Sequence, residues 1–390
     1  MKILLLSFYF EPDLCAGSFR NTPLFKELLN QISKDDFIHL ISTQPNRYNS
    51  YKTKADAIEK GKNFQINRIK IPSHKSGLID QTISFVVFYF NVLKLTRHEK
   101  YDIVFASSSR LFTAFLGKRI AKKQKSPLYL DIRDIFVDTF SDIFKKKKYI
   151  QIPAVACLKL LEKYTFSNAS HINLVSEGFK NYFAKYPIPS YTFFTNGIDD
   201  EFIEMNQVKD CKKSEIMIIT YAGNIGSGQG LEKIIPETAK ILGNNYLFKI
   251  IGDGGTKELL INKVEELGLT NVKVLNPVGR NQLIKYYKEA DFLFLHLNDL
   301  EAFKKVLPSK IFEYAAFNKP FIAGVSGFAK KFIEDNLDNY ILFYPTDIND
   351  FVSQLRVFPY NNKSRTEFIE KFARKKIMQK MALTILNLGR

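Results

Sequence analysis

Two alternating periods constrain this chain more than any other feature. Short, near-continuous apolar runs at 2–6, 37–42, 65–69, 103–106, 128–131, 171–174 and 191–194 read as buried strands. Segments of helical period, such as 19–32 and 154–166, lie between them. The alternation restarts at Ile216. Strands are predicted at 216–222, 247–251, 272–275, 292–297 and 320–323, and helices at 231–242, 256–267, 281–289 and 310–317. Repeated βα units imply parallel, doubly wound sheets, which bind ligands beyond the carboxyl ends of their strands. The 390 residues suit two such α/β domains, facing each other across a cleft. The polar segment 199–214, with Lys209, Asp210, Lys212 and Lys213, reads as the linker. The domains are therefore expected at 1–205 and 206–363. The tail, 364–390, is expected to form one basic amphipathic helix that packs back on the first domain (Phe368, Phe372, Ile377, Met381, Ile385). Gly268 is placed to end a helix, and Asn281 and Ser309 to cap the starts of two others.

Composition excludes several classes. Three cysteines (Cys15, Cys157, Cys211) make no disulfide scaffold and fit no zinc spacing, so a reducing, cytoplasmic setting is expected. The opening residues are too short an apolar stretch for a signal peptide, and the longest apolar run, 83–90, falls far short of the ~20 residues that span a bilayer. The charge is unusual. Fifty-seven Lys and Arg face 40 Asp and Glu, a net +17, and residues 1–200 carry 30 of the basic and 18 of the acidic residues. Such a field suits nucleic acid, an anionic membrane or a phosphorylated substrate. No helix-turn-helix, zinc finger or base-stacking motif is present, so nucleic acid is not expected. Lys145 to Lys148 beside Phe144, Tyr149 and Ile150, and the aromatic stretch 83–95, suit an anionic bilayer surface, or a solvated charge run beside a core helix.

Four segments carry possible chemistry. Residues 221–231 run from a strand through Asn224, Gly226, Gly228, Gln229 and Gly230 into a helix. Glycines let backbone N–H groups approach an anion at a helix start. The same segment also suits a nicotinamide dinucleotide, with Asp253 on the ribose, or a plain tight turn. At 307–314, Lys310 and Glu313 share a helix face behind Pro308 and Ser309, so the lysine suits a phosphate and the glutamate two ribose hydroxyls; a surface ion pair is the alternative. Asp131, Arg133 and Asp134 cluster at the end of a strand, as catalytic groups or as a structural pair. Gly17, Ser18 and Arg20 follow the first strand, where a substrate or merely a loop would sit. Of the five histidines (His39, His74, His98, His171, His296), only His296 ends a strand at the expected cleft. None forms a metal spacing.

Taken together, these motifs resemble the retaining glycosyltransferases of family 4, which have the GT-B fold of two Rossmann-like domains. The resemblance rests on residues 1–10 with Gly17 and Arg20, 196–199, 221–231, 251–254, 286–291, 308–313 and 318–320. The block 131–134 is similar to the branch that builds bacterial O-antigen and capsule. It implies a nucleotide-diphosphate sugar as donor, UDP-linked and of hexose or N-acetylamino type, held by the second domain. Glu313 would bind the ribose, and Lys310, Ser309 and the loop 224–230 the diphosphate. Gly252, Asp253 and Arg280 would line the donor site, with Arg280 near the base. The first domain would take a lipid-linked, polyprenyl diphosphate saccharide at Gly17, Ser18, Arg20 and Arg133, with His296 of the second domain at the cleft. Asp134, then Asp131, would steer the acceptor hydroxyl, and Lys310 would stabilise the leaving group. No metal or other cofactor is expected. The place implied is the cytoplasmic face of the inner membrane, bound peripherally. Three features depart from the family pattern: Lys305 replaces a glutamate, Asn224 and Gln229 replace the usual Arg and Lys, and Ser107 to Ser109 stand where a histidine is usual. A nucleotide-sugar epimerase on the same fold and a non-catalytic binding protein of a polysaccharide assembly stay open.

Overall fold

The computed structural model describes residues 1–46, 53–72, 78–108, 111–205 and 215–390. The chain divides into two compact units, Met1–Asn196 with Arg374–Arg390, and Gly197–Ala373.

Among the described residues, the first unit has eight strands: β1 Lys2–Ser7, β2 Phe37–Thr43, β3 Ile58–Lys60, β4 Phe64–Ile69, β5 Ile103–Ser108, β6 Leu128–Ile132, β7 His171–Leu174 and β8 Ser190–Thr192. Their order is β3-β4-β2-β1-β5-β6-β7-β8, and only the β3–β4 pair is antiparallel. Ile3 to Leu6 and all of β5 are buried, which is why both read as unbroken apolar runs. The chain order reverses between β1 and β5, so Ser7 and Ser107 mark the switch point where a ligand crevice is expected. The helix Arg374–Gly389 packs on the helix Ala16–Gln31. Gln31 Nε2 donates to the carbonyl of Gln379, and Met378, Met381 and Ile385 are fully buried.

The second unit holds β9 Met217–Asn224, β10 Tyr246–Asp253, β11 Val272–Leu275, β12 Phe292–His296, β13 Phe321–Gly324 and β14 Tyr340–Phe343, in the order β11-β10-β9-β12-β13-β14 and parallel throughout. This is the doubly wound order, with its switch point between β9 and β12. The helix Leu231–Leu242 turns Ile234, Ile235 and Ala239 into a core shared with Ile219, Phe248, Ile250 and Phe294. Each such aliphatic or aromatic side chain contributes about 1.5–3 kcal/mol of burial.

Several boundaries differ from the sequence expectation. The second unit begins at Gly197, not at 206. Ile198 bridges to Ala373, and Phe202 on the helix Asp200–Met205 meets Tyr287 and Phe317. Residues 206–214 of the expected linker, with Cys211, lie outside the described residues, as do His74 and Ser109. The tail is two helices rather than one. Thr366–Phe372 stacks Phe368 and Phe372 on Phe312 and Phe332 of the second unit. Extended backbone at Ala373 then breaks the helix, and only Arg374 onward belongs to the first unit. Gly268 ends its helix in the left-handed conformation, φ 62°, as expected. The helix at 280 is capped by Gly279, not Asn281, and Ser309 holds its N-cap place without a side-chain cap bond.

Candidate donor and acceptor sites

In the second unit, β9 and β10 end side by side, and the loop after β9 is fixed from three directions. The Ile225 N–H donates to the Asp253 carbonyl at 2.8 Å, while the Thr256 N–H donates to the Ile225 carbonyl at 3.0 Å. The Asn298 N–H reaches the Gly228 carbonyl at 2.9 Å, and its Nδ2 donates to the Ser227 carbonyl. Asn224 Nδ2 closes the loop on Gln229 Oε1 at 2.7 Å. Glycine is required at two of these positions. Gly230 starts the next helix at φ 59°, where a Cβ would lie 2.3 Å from Asn298 Oδ1, and a Cβ on Gly252 would lie 1.8 Å from the Gly223 carbonyl oxygen.

The helix Lys310–Ala315 meets this loop. A Cβ on Gly223 would stand 2.6 Å from Lys310 Cε, so the lysine lies across the bare backbone of the loop's entry. Its Nζ is 3.4 Å from Glu313 Oε2, which also accepts from the Tyr287 hydroxyl at 3.3 Å. Glu313 Oε1 has no partner among the described residues. Tyr287 is fully buried, and burial together with Tyr314 and Glu313 raises its pKa well above the usual phenol value, so it stays a donor. The arrangement is a cation and a bracketed carboxylate beside free backbone at a sheet switch point. It suits an anion and a pair of hydroxyls on one ligand.

In the first unit, Arg20 and Asp131 are both fully buried and joined by two bonds, of 2.8 and 2.9 Å. Arg20 also donates to the carbonyls of Thr195 and Phe194, while Asp131 accepts from Ser107 and Asn173. Burial pushes the Asp131 carboxyl up, but the Arg20 charge and these bonds hold it below the usual range. A cavity of about 480 Å³ opens at the switch point of this sheet, lined by Phe8, Phe85, Phe112, Phe136, Arg133 and Asp134 among others. Burial raises the Asp134 carboxyl to about 6, against the pull of the Ile135 N–H and Arg133. A larger cavity, about 720 Å³, lies at the opposite, amino ends of β5 and β6, around Asp102 and Pro127, away from these groups.

Residues 203–375 match the family model described as glycosyl transferases group 1. That stretch, less than half of the chain, is similar to the family. A relative in Escherichia coli (strain K12), WcaI, provisionally a colanic acid biosynthesis glycosyl transferase, is 25% identical over 240 residues, 58% of this chain and 58% of its own length. Among solved structures, Anabaena HepE in complex with UDP and glucose aligns over 100% of this chain and 97% of its own, with 14% identity and TM-score 0.62. WaaG, a glycosyltransferase involved in lipopolysaccharide biosynthesis, aligns over 99% and 97%, with 13% identity and TM-score 0.62. Trehalose-6-phosphate synthase OtsA gives 0.65 over 100% and 97%, at 10% identity. The fold is GT-B.

In the second unit, Lys310 meets the loop at Gly223 with Glu313 beside it, and Gly226, Gly228, Gln229 and Gly230 lie further along that loop, where Gly228 faces Phe303 and Gly230 faces Asn298. Other expectations change. His296 is fully buried: its Nδ1–H donates to the Gln229 carbonyl at 2.6 Å, its Nε2 accepts from the Thr346 N–H at 3.0 Å, and burial lowers its pKa to about 4. It is a neutral strut under the glycine loop, not a ligand contact. Arg280 pairs with Asp199 and Glu201 and stacks on Phe202, so its charge anchors the 199–205 segment rather than a base. Asp253 Oδ1 accepts from the Gly254 N–H. In the first unit, Arg20 and Asp131 are spent on each other. Gly17 and Ser18 lie within the first turns of a helix, not in a loop, and Gly17 clears a path for Arg133 Nη1, which would lie 2.8 Å from a Cβ there. Sequence reasoning missed Tyr287, Asn298 and the phenylalanine cavity. The spacing of Phe8 after β1 and Phe112 after β5 is the signal that would have pointed to the cavity. Among the described residues, no helix is long and apolar enough to cross a membrane, and no three His, Cys, Asp or Glu are grouped to hold a metal.

Proposed function

We propose that the chain transfers a sugar, with retention of configuration, from a UDP-linked donor to a lipid-linked saccharide in surface polysaccharide assembly. The observation that carries the reading is Lys310 lying over Gly223 with Glu313 beside it. The complex of HepE with UDP and glucose, and the roles named for WaaG and WcaI, support the ligand and the setting. Glu313 Oε1 takes the ribose hydroxyls, and Lys310 with the N–H groups of the loop faces the diphosphate. As the bond from the sugar's anomeric carbon to the diphosphate oxygen breaks, its electron pair stays on that oxygen, and the fixed cation and dipoles stabilise the charge. The acceptor hydroxyl forms its bond on the face the diphosphate leaves. Asp134, in the first unit, orients that hydroxyl and takes its proton, a task that a carboxyl titrating at about 6 suits. Product analysis with labelled UDP-sugars and a lipid extract tests the reading. Transfer that needs the acceptor supports it; conversion of the donor alone would mark an epimerase, and no turnover of any donor a binding protein.

Asp134 gives a pH prediction with a definite sign. Its ordinary value is 3.8 and its folded value about 6, so burial favours the acid. That contribution to stability is full below pH 3.8 and is lost as pH rises through about 6. Asp134→Asn should therefore raise stability at pH 7.5 by about 1–2 kcal/mol, with little change at pH 4, while turnover falls. Melting curves at the two pH values check this; equal shifts at both would contradict it.

The membrane enters the same reading. Phe90, Tyr149, Ile152 and Leu160 are 64–76% exposed, and Lys145 to Lys148 stand beside Tyr149. Each lysine near an anionic leaflet adds about 1 kcal/mol. The chain should float with vesicles containing phosphatidylglycerol and stay behind with purely zwitterionic ones; equal flotation with both would count against a charge-driven contact.

A further inference from the structure

The cavity at the switch point of the first sheet has a polar end and an apolar body. Phe8, Phe85, Phe112 and Phe136 line the body, and its volume of about 480 Å³ is within the range of small-molecule sites. Val86 and Ile143 line it as well and are 45% and 58% exposed, so it opens onto an apolar stretch of surface. At the polar end stands Arg133. Its main-chain N–H is used by the Ser108 carbonyl, but its guanidinium has no hydrogen bond or ion pair among the described residues. The buried acid behind it, Asp131, is engaged by Arg20, Ser107 and Asn173. Asp131 and Asp134 attract it without a direct bond, while burial opposes its charge. An arginine beside an aromatic cavity with no hydrogen bond for its guanidinium N–H groups is costly, and an anion brought by a ligand supplies acceptors for them. The apolar walls reject a free phosphate or nucleotide, whose polar groups would lose water without replacement.

We infer that this cavity holds the apolar chain of a phosphorylated lipid, with Arg133 on its phosphate. The inference deepens the acceptor reading proposed above and rests on it. It places the acceptor's anionic head at the sheet's switch point and its chain toward Val86 and Ile143. The saccharide beyond the head would then approach Asp134.

The test is titration calorimetry on the full chain with four probes: farnesyl diphosphate, lysophosphatidic acid, farnesol and inorganic pyrophosphate. Farnesyl diphosphate or lysophosphatidic acid should bind, with the stronger of the two showing whether the chain is prenyl or acyl, and both should exceed farnesol and pyrophosphate. Arg133→Met should weaken that binding about 10- to 100-fold and bring it to the level of farnesol. Val86→Asp, at an exposed position, should weaken it without touching the phosphate site. The inference is overturned if neither phosphorylated lipid exceeds the two fragments, or if Arg133→Met binds as tightly as the wild type. UDP is titrated into the same samples. UDP binding without lipid binding removes this inference alone; loss of UDP binding in the wild type removes the transferase reading.

Discussion

Replacing Lys310 with alanine is expected to lower kcat by about 100- to 1,000-fold, the usual loss when one fixed electrostatic group is removed from a leaving-group site. The KM for the donor should change by only about two- to threefold. In the ground state the Lys310 charge is already shared with Glu313 Oε2 at 3.4 Å, so it adds modestly to donor binding. When the sugar–phosphate bond breaks, the diphosphate gains charge, and the lysine lying across Gly223 meets it without moving. Steady-state kinetics with a labelled nucleotide sugar separates the two parameters. A raised KM with unchanged kcat would assign Lys310 to donor affinity alone. The fold should survive, because the lysine side chain is partly exposed and its neighbours Ile311, Phe312 and Tyr314 carry the helix into the core.

The second large effect is on stability. Arg20→Met removes one partner of a fully buried pair and leaves the Asp131 carboxylate without its counter-charge. That change costs about 3–5 kcal/mol, which for a unit of this size lowers the melting temperature by about 6–20 °C. The Thr195 carbonyl loses its Arg20 donor as well, while the Phe194 carbonyl keeps Asn173 Nδ2 at 3.1 Å. Changing Asp131 to leucine in the same chain should recover much of the loss, because it removes the stranded charge. Differential scanning calorimetry of the single and double variants decides the matter. If Arg20→Met melts like the wild type and only the acceptor KM moves, Arg20 is a ligand contact and the structural assignment fails.

These two residues also show what the sequence could and could not reveal. Lys310 and Glu313 are three apart on one helix, so their partnership is local and legible. Arg20 and Asp131 are 111 positions apart, and only the pairing of β1, β5 and β6 brings them together. Their types suggested chemistry, yet their burial makes them structural. His296 follows the same logic. Its place at the end of β12 was legible, but its two partners, at Gln229 and Thr346, are set by loops distant in sequence. The buried strands were readable because burial on both faces writes an unbroken apolar run. The exposed three-residue edge strand Ile58–Lys60 carries no such signature, and Tyr340–Phe343 at the other sheet's edge is fully buried only at alternate residues. The tail held a readable clue: its apolar positions step by four except between Phe372 and Ile377, where the step is five and the helix breaks.

The most direct measurement is calorimetric titration of UDP, with GDP, ADP and inorganic pyrophosphate alongside, into the wild type and Glu313→Ala. The account predicts that a nucleoside diphosphate binds the wild type. Glu313→Ala should weaken it about 10- to 100-fold while affinity for pyrophosphate is kept. Absence of binding by all three nucleotides, or equal affinity in wild type and variant, would contradict it.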